Sequence, residues 1–208
     1  MKRRVAVLAP VALLAGCVSV SVGNSDTPAL IYYVLADARP APPAAPAAGA
    51  FGRIAIQSIG ADPLADSISI VYSRRPGERA FYQFASWTER PPRRLAQLTQ
   101  QRLEARGRFA AVTQLGQPVQ SDWLLTLAVE TIIHDVSSTP GQAQLAVRAE
   151  LIHRLDRRRV AHRIFSAAPP VGEATAPGAV AGFAVATADV LDQLTDWVEV
   201  SVAAHPAR

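Results

Sequence analysis

Two spacings of apolar residues organise the 208-residue chain: short runs in which apolar and polar positions alternate, and two longer runs in which apolar positions recur every three to four residues. The first spacing belongs to strands and the second to helices. Leu30-Ile31-Tyr32-Tyr33-Val34-Leu35 is a β-rich run of strand length. A second strand is predicted over 51–59, with Ile54, Ile56 and Ser58 set against Arg53 and Gln57. A third, over 67–73, alternates Ile68, Ile70 and Tyr72 with Ser69, Val71 and Ser73. Arg75-Pro76-Gly77-Glu78 has turn chemistry, and 80–84 returns as a strand, which makes a β-hairpin. A short strand is expected over 109–115. Trp123, Leu125, Leu127, Val129 and Ile133 then share one face of a strand over 123–134. Leu145, Val147, Ala149 and Leu151 share a face of the next, and 160–166 completes a three-stranded antiparallel meander.

Helical spacing occupies two places. Pro91-Pro92 precedes a run without Gly or further Pro over 93–106, and proline suits the first turn of a helix. Leu95, Leu98, Thr99 and Leu103 cover one arc of that helix, with Arg94, Gln97, Gln101 and Arg102 largely off it; Gly107 ends it. Ala168-Pro169-Pro170 breaks the last strand of the meander. Pro177-Gly178 then opens a long helix to about residue 202, along which Val180, Phe183, Ala184, Thr187, Val190, Leu191, Leu194, Trp197 and Val198 form a wide, Ala-rich stripe suited to close packing on a sheet. The expected fold class is α/β (α+β): a mixed, largely antiparallel sheet with two main helices packed on one face.

The N-terminus follows a different logic. Met1-Lys2-Arg3-Arg4 is positive, and the ten residues 5–14 are uncharged, far short of the roughly 20 apolar residues of a membrane-spanning helix. Length and flanks read as a signal peptide. Leu14-Ala15-Gly16-Cys17 resembles the lipobox of bacterial lipoproteins, in which a cysteine thiol takes a diacylglyceryl group and small preceding residues admit the peptidase. Cleavage is expected between Gly16 and Cys17. Cys17 is the only cysteine, so no disulfide can form within the chain. A lone thiol would be a liability in an oxidising compartment, and lipidation removes it. Position 18 is Val rather than the Asp that favours inner-membrane retention in enteric bacteria, so the resemblance implies the outer membrane, on its periplasmic face. The expected organisation is a signal peptide over 1–16, a lipidated flexible tether over 17–29, and one domain over 30–205 with a Pro/Ala-rich loop at 36–50.

Charge changes meaning once the leader is subtracted. The full chain has 21 basic and 17 acidic residues; without residues 1–16 it has 18 basic residues against the same 17 acids, a net charge of +1. A near-neutral domain offers no electrostatic case for nucleic acid. The sequence carries none of the phosphate-loop, Gly-x-Ser-x-Gly, His-Glu-x-x-His or Cys-x-x-Cys patterns. His134 and His153 fall in neighbouring predicted strands, and simple alternation places them on opposite faces, so no metal site is expected. The Arg157-Arg158-Arg159 run reads as a solvated turn able to meet lipid headgroups or an acidic partner. Tyr72, Phe81, Tyr82, Phe84 and Trp87 concentrate around the first hairpin; they read first as packing, with Tyr72, Tyr82 and Trp87 as candidate partner contacts. No catalytic residue is expected, and no cofactor other than the covalent lipid on Cys17.

Several segments together resemble the ABC-type transport auxiliary lipoproteins, which accompany MCE-domain (mammalian cell entry) lipid transport systems, including the paraquat-inducible type. They are Tyr32-Tyr33-Val34-Leu35, Ile68-Ser69-Ile70-Val71-Tyr72, Phe81-Tyr82-Gln83-Phe84-Ala85-Ser86-Trp87 with Pro91-Pro92, Arg108-Phe109-Ala110-Ala111-Val112, Asp122-Trp123-Leu124-Leu125, and Asp196-Trp197 at the end of the last helix. The resemblance implies a non-catalytic subunit anchored in the outer membrane. Its partners would be an MCE-domain protein and an inner-membrane ABC permease and ATPase, its cargo phospholipid or another hydrophobic molecule, and a homo-oligomer would suit a symmetric partner. Two other readings stand beside it: an envelope-assembly lipoprotein acting on a peptidoglycan synthase or lipopolysaccharide translocon, and a periplasmic hydrolase, for which the sequence offers no triad.

The lipobox reading has a direct test. Cys17→Ala should leave an uncleaved precursor without acyl mass that partitions into the aqueous phase of a detergent extraction; a processed, detergent-phase variant would refute it.

Overall fold

A computed structural model describes residues 28–205 except 41, 43–50 and 61. Gly16, Cys17 and most of the expected tether lie outside the described residues. The chain runs β1 (Ile31–Tyr33), β2 (Arg53–Ser58), β3 (Ser69–Ser73), β4 (Ala80–Trp87), α1 (Pro91–Arg106), β5 (Ala111–Gln114), β6 (Trp123–Asp135), β7 (Gly141–His153), β8 (Arg158–Ala167), β9 (Pro170–Val171) and α2 (Ala176–Ala203). This is the expected α+β class: a mixed nine-stranded sheet with both helices on one face.

The meander β6–β7–β8 is the framework, with antiparallel pairing along nearly the full length of each strand. The other side of β6 carries two parallel neighbours in succession, β2 beside Trp123–Leu127 and β3 beside His134–Asp135. β5 extends the sheet beyond β2, while β4 and then β1 extend it beyond β3. Half of the eight strand pairings are therefore parallel. The β3–β4 hairpin is present as expected.

A bulge in β6 corrects the face assignment read from simple alternation. Val129 pairs with Val147 and Thr131 with Ala146, so Glu130 is an extra residue. An extra residue inverts every position that follows. Ile132 consequently joins the core opposite Leu145, and Ile133, expected beside Val129, turns to the other face opposite Gln144. The same inversion puts His134 on the face of Trp123 and His153, contrary to the expectation of opposite faces. About ten residues of β7 still separate the level of His134 from His153, roughly 33 Å at strand rise.

α1 begins with Pro91 and Pro92 in its first turn, where the missing N–H groups cost nothing, and ends at Gly107, whose φ of 65° is the left-handed conformation glycine adopts without strain. Thr175 caps α2 by accepting a hydrogen bond from the Gly178 amide at 3.2 Å. The small residues of α2 allow contact with β7: a Cβ on Gly182 would overlap Val171 and sit 2.8 Å from the Ala143 Cβ. Larger anchors complete the interface, with Phe183 edge-on to Trp87 at 5.8 Å and Phe165 edge-on to Trp197 at 5.5 Å. Full burial of each large apolar side chain contributes roughly 1.5–3 kcal/mol. Pro170 and Val171, expected only as a break, form the short β9 against Gly141 and Gln142, an edge position where proline is tolerated.

Arg102 departs from its expected place on the solvent side of α1. Its side chain is only 8% exposed, and it donates two hydrogen bonds to the Asp37 carboxylate, 2.5 and 2.9 Å, and a third to Asp192 of α2 at 2.6 Å. Arg39 adds bonds to Asp189 and Asp192. Burial disfavours ionisation of Asp192, but the Arg39 and Arg102 hydrogen bonds outweigh it and hold the carboxyl below its usual range. The start of the Pro/Ala-rich loop is thus fastened to both helices, with the Ala38 amide donating to the Ala184 carbonyl as well. Removing one member of a buried pair strands the other charge. Arg102→Met should therefore cost about 3–5 kcal/mol in urea unfolding, because Asp37, 5% exposed, loses its bidentate partner; a change near zero would show that the pair is dispensable.

Candidate functional site

The β3–β4 hairpin brings together the aromatic residues singled out from sequence, and it sorts them by role. Trp87, at the end of β4, is 2% exposed and packed on Phe183, so its ring has no surface to offer a partner. Tyr72 and Tyr82 are half-buried and adjacent, ring centroids 4.8 Å apart, because the antiparallel pairing sets Tyr72 opposite Ala80. The Arg74 guanidinium lies 5.1 Å above the Tyr72 ring. Phe81 and Phe84 of the same strand are exposed.

A polar residue completes this cluster from the neighbouring strand. The Tyr82 hydroxyl and His134 Nδ1 are hydrogen-bonded at 2.8 Å, and the rings lie nearly parallel with centroids 6.2 Å apart. Burial, aided by Tyr72 and opposed by Arg74, pushes the Tyr82 phenol up to about 12. Burial also lowers the pKa of His134, against a smaller opposing effect of Asp135, so the imidazole is neutral. Its Nε2 is buried without a hydrogen-bond partner among the described residues. Gly141 makes room for the ring, since a Cβ there would stand 3.2 Å from Nε2 and 2.7 Å from the Asp135 carbonyl. Sequence alone did not connect His134 to the hairpin, because the bulge that turns it inward carries no motif.

Open clefts lie at the opposite end of the meander, two of them lined by His153. One, of about 360 Å³, is lined by Arg53, Asp122, His153 and Arg154 among others; the second, of about 370 Å³, by Trp123, His153, Asp156, Arg158 and His205 among others. His153 Nδ1 and Asp156 are 2.9 Å apart, and the Ser121 hydroxyl accepts from Arg154 at 2.6 Å. Ser121 thus bonds to a guanidinium rather than to the imidazole, and the cleft does not assemble a nucleophile with a base. Arg157, in the left-handed region at φ 53°, makes the turn with Arg158 and Arg159 at this same end. No group of three or more His, Cys, Asp or Glu placed to hold a metal occurs among the described residues. Among the same residues, no helix is long and apolar enough to cross a membrane.

A curled sheet with two helices on one face and an aromatic hairpin at one end defines a small α+β domain. Residues 33–195 match the family model described as the ABC-type transport auxiliary lipoprotein component, and the chain belongs to that family. It is similar to a crystal structure of a Xanthomonas campestris protein assigned to family DUF330, at 25% identity and a TM-score of 0.70, covering 82% of this chain and 96% of that one. A second structure, of an uncharacterized protein, shares the fold at 15% identity and a TM-score of 0.62, covering 80% and 97%. A comparison with curated protein sequences gave no match. The family makes the chain an auxiliary component of ABC-type transport associated with a membrane of the cell envelope.

The tyrosine–histidine pair can be tested by stability. Tyr82→Phe should cost about 1–3 kcal/mol, because Nδ1 of a buried imidazole is left without a partner. His134 has a lowered folded-state pKa, so its contribution is complete above the unfolded value of about 6.5 and is lost as pH falls towards the folded one. Unfolding of the wild type followed between about pH 7 and pH 5 should show that loss, and His134→Asn should flatten it; equal slopes in the two proteins would refute the assignment.

Proposed function

We propose that this chain is a lipoprotein anchored through Cys17 in the outer membrane, facing the periplasm. In this reading it is the non-catalytic auxiliary subunit of an ABC transporter that works through an MCE-domain protein on phospholipid or other hydrophobic cargo. The observation that carries the reading is the family match, which extends over almost the whole folded domain. The lipobox at Leu14-Ala15-Gly16-Cys17 supplies the anchor, and Val18 supports the outer membrane.

The parts suit a docking subunit. Two or three acyl chains hold a protein durably where one holds it only reversibly. Twelve residues between Cys17 and Leu30 reach about 40 Å at most, enough to let the domain search near its membrane. The corner from Trp87 to Pro92 keeps the hairpin in a fixed relation to α1, so Tyr72 and Tyr82, with ring centroids 4.8 Å apart, form a preorganised surface for the MCE assembly.

Affinity purification of the processed lipoprotein from its own envelope should recover an MCE-domain protein, and Tyr72→Asp should reduce that recovery. Recovery of a cell-wall synthase with no MCE-domain protein would overturn the reading.

A further inference from the structure

Seven of the thirteen large apolar side chains exposed among the described residues fall on β1, β3, β4 and the residues flanking them. Tyr32 is 57% exposed and Phe81 49%. The pairing shows that these two share a face. Tyr32 lies opposite Ser86 and Ser86 opposite Ser69, while Phe81 lies opposite Val71, two residues along the same strand from Ser69. Trp87, the neighbour of Ser86, points the other way, onto α2. Tyr32 and Phe81 therefore stand on the face of the sheet that no helix covers, with exposed Leu30 and Val34 on either side of β1.

The same region is where the chain arrives from its anchor. β1 runs parallel to β4, so the chain comes into β1 from the end at which the β3–β4 hairpin turns. Twelve residues, 18–29, join Cys17 to this point and span at most about 40 Å. The hairpin turn carries Arg75 and Arg79, both exposed and neither with a carboxylate partner within 4.0 Å among the described residues, while Arg74 lies over the Tyr72 ring. Exposed apolar side chains rimmed by unpaired arginines fit a bilayer interface, where the apolar groups reach the acyl boundary and the guanidiniums meet anionic headgroups. The Arg157–Arg159 turn lies beyond the opposite end of β6, a strand of thirteen residues, roughly 43 Å long.

We propose that the uncovered sheet face around Tyr32, Val34 and Phe81 rests on the anionic phospholipid surface that holds the anchor, so that the lipid fixes where the domain is and the patch fixes how it is turned. The second contact converts a freely swinging domain into an oriented one, with the end bearing Leu155 and Arg157 presented away from the membrane. The inference rests on acylation of Cys17, and it adds a binding surface that the transport role does not require.

The test uses the full processed lipoprotein in vesicles of phosphatidylethanolamine and phosphatidylglycerol. Thioether formation consumes the Cys17 thiol, so a cysteine introduced by Val34→Cys or by Leu155→Cys is the sole free thiol and takes a polarity-sensitive fluorophore. A nitroxide-bearing phospholipid should quench the label at position 34 at least about threefold more than the label at 155. Adding Tyr32→Asp and Phe81→Asp should reduce quenching at 34 to the level seen at 155, with the circular dichroism spectrum unchanged. Equal quenching at the two positions overturns the proposal. So does a blue-shifted label at 34 that nitroxide lipid does not quench, because then a protein surface, a second copy or a partner, covers the patch. Mass spectrometry of Cys17 separates the two readings: an acylated protein that fails the quenching test refutes the surface alone, and an unacylated one refutes the anchor and the surface together.

Discussion

The antiparallel ladder between β6 and β7 sets the position of every other strand, because β2, β3, β8 and β9 pair with it directly and β5, β4 and β1 are added in turn beyond β2 and β3. Its continuity is broken at one residue, Glu130, which Arg148 holds through a hydrogen bond of 2.8 Å. That interruption changes which side chains face the helices. Before it, Trp123, Leu125, Leu127 and Val129 point to the core; after it, Ile132 and His134 do. A bulge also increases local twist. β6 can then accept β2 along its first half and β3 at its far end, each parallel to it, and the hairpin that bears the aromatic cluster takes its direction from the second of these contacts.

A second constraint ties the beginning of the domain to its helices. Asp37, Arg39, Arg102 and Asp192 make a connected set of charge-assisted bonds across α1, α2 and the segment after β1. Such a network adds specificity of placement more than net stability, since the desolvation of two charges offsets much of their attraction. Here the specificity has a use. β1 is only three residues long, too short to hold its own position, and the arginine clamp fixes the chain just beyond it. Where β1 sits decides where the chain enters the domain.

The resulting molecule has two unlike ends. One gathers the start of the folded domain, the aromatic hairpin and the exposed arginines of its turn; the other gathers the Arg157–Arg159 turn, His153 and open clefts. A protein that works beside a membrane while reaching for a partner needs this kind of polarity. The rigid sheet supplies it without any hinge, because both ends are built on the same long strands.

Much of the fold was legible in the residue pattern. The period of two gave the meander and the first hairpin, the period of three to four gave both helices, and Pro91-Pro92, Gly107 and Pro177-Gly178 marked helix ends, because local sterics act the same way in any context. The family was legible too, through segments such as Trp87 to Pro92 whose spacing the fold preserves. Lipidation of Cys17 is an expectation from sequence at a position outside the described residues. What periodicity could not determine was anything set by partners distant in the chain. Glu130 looks like its neighbours, yet pairing with β7 makes it a bulge and reverses Ile133 and His134. Arg102 looks like a solvent-facing residue of an amphipathic helix, yet Asp37 and Asp192 arrive to bury it. Trp87 and Phe81 look alike as aromatic hairpin residues, and only the packing of α2 decides that the first is core and the second is surface.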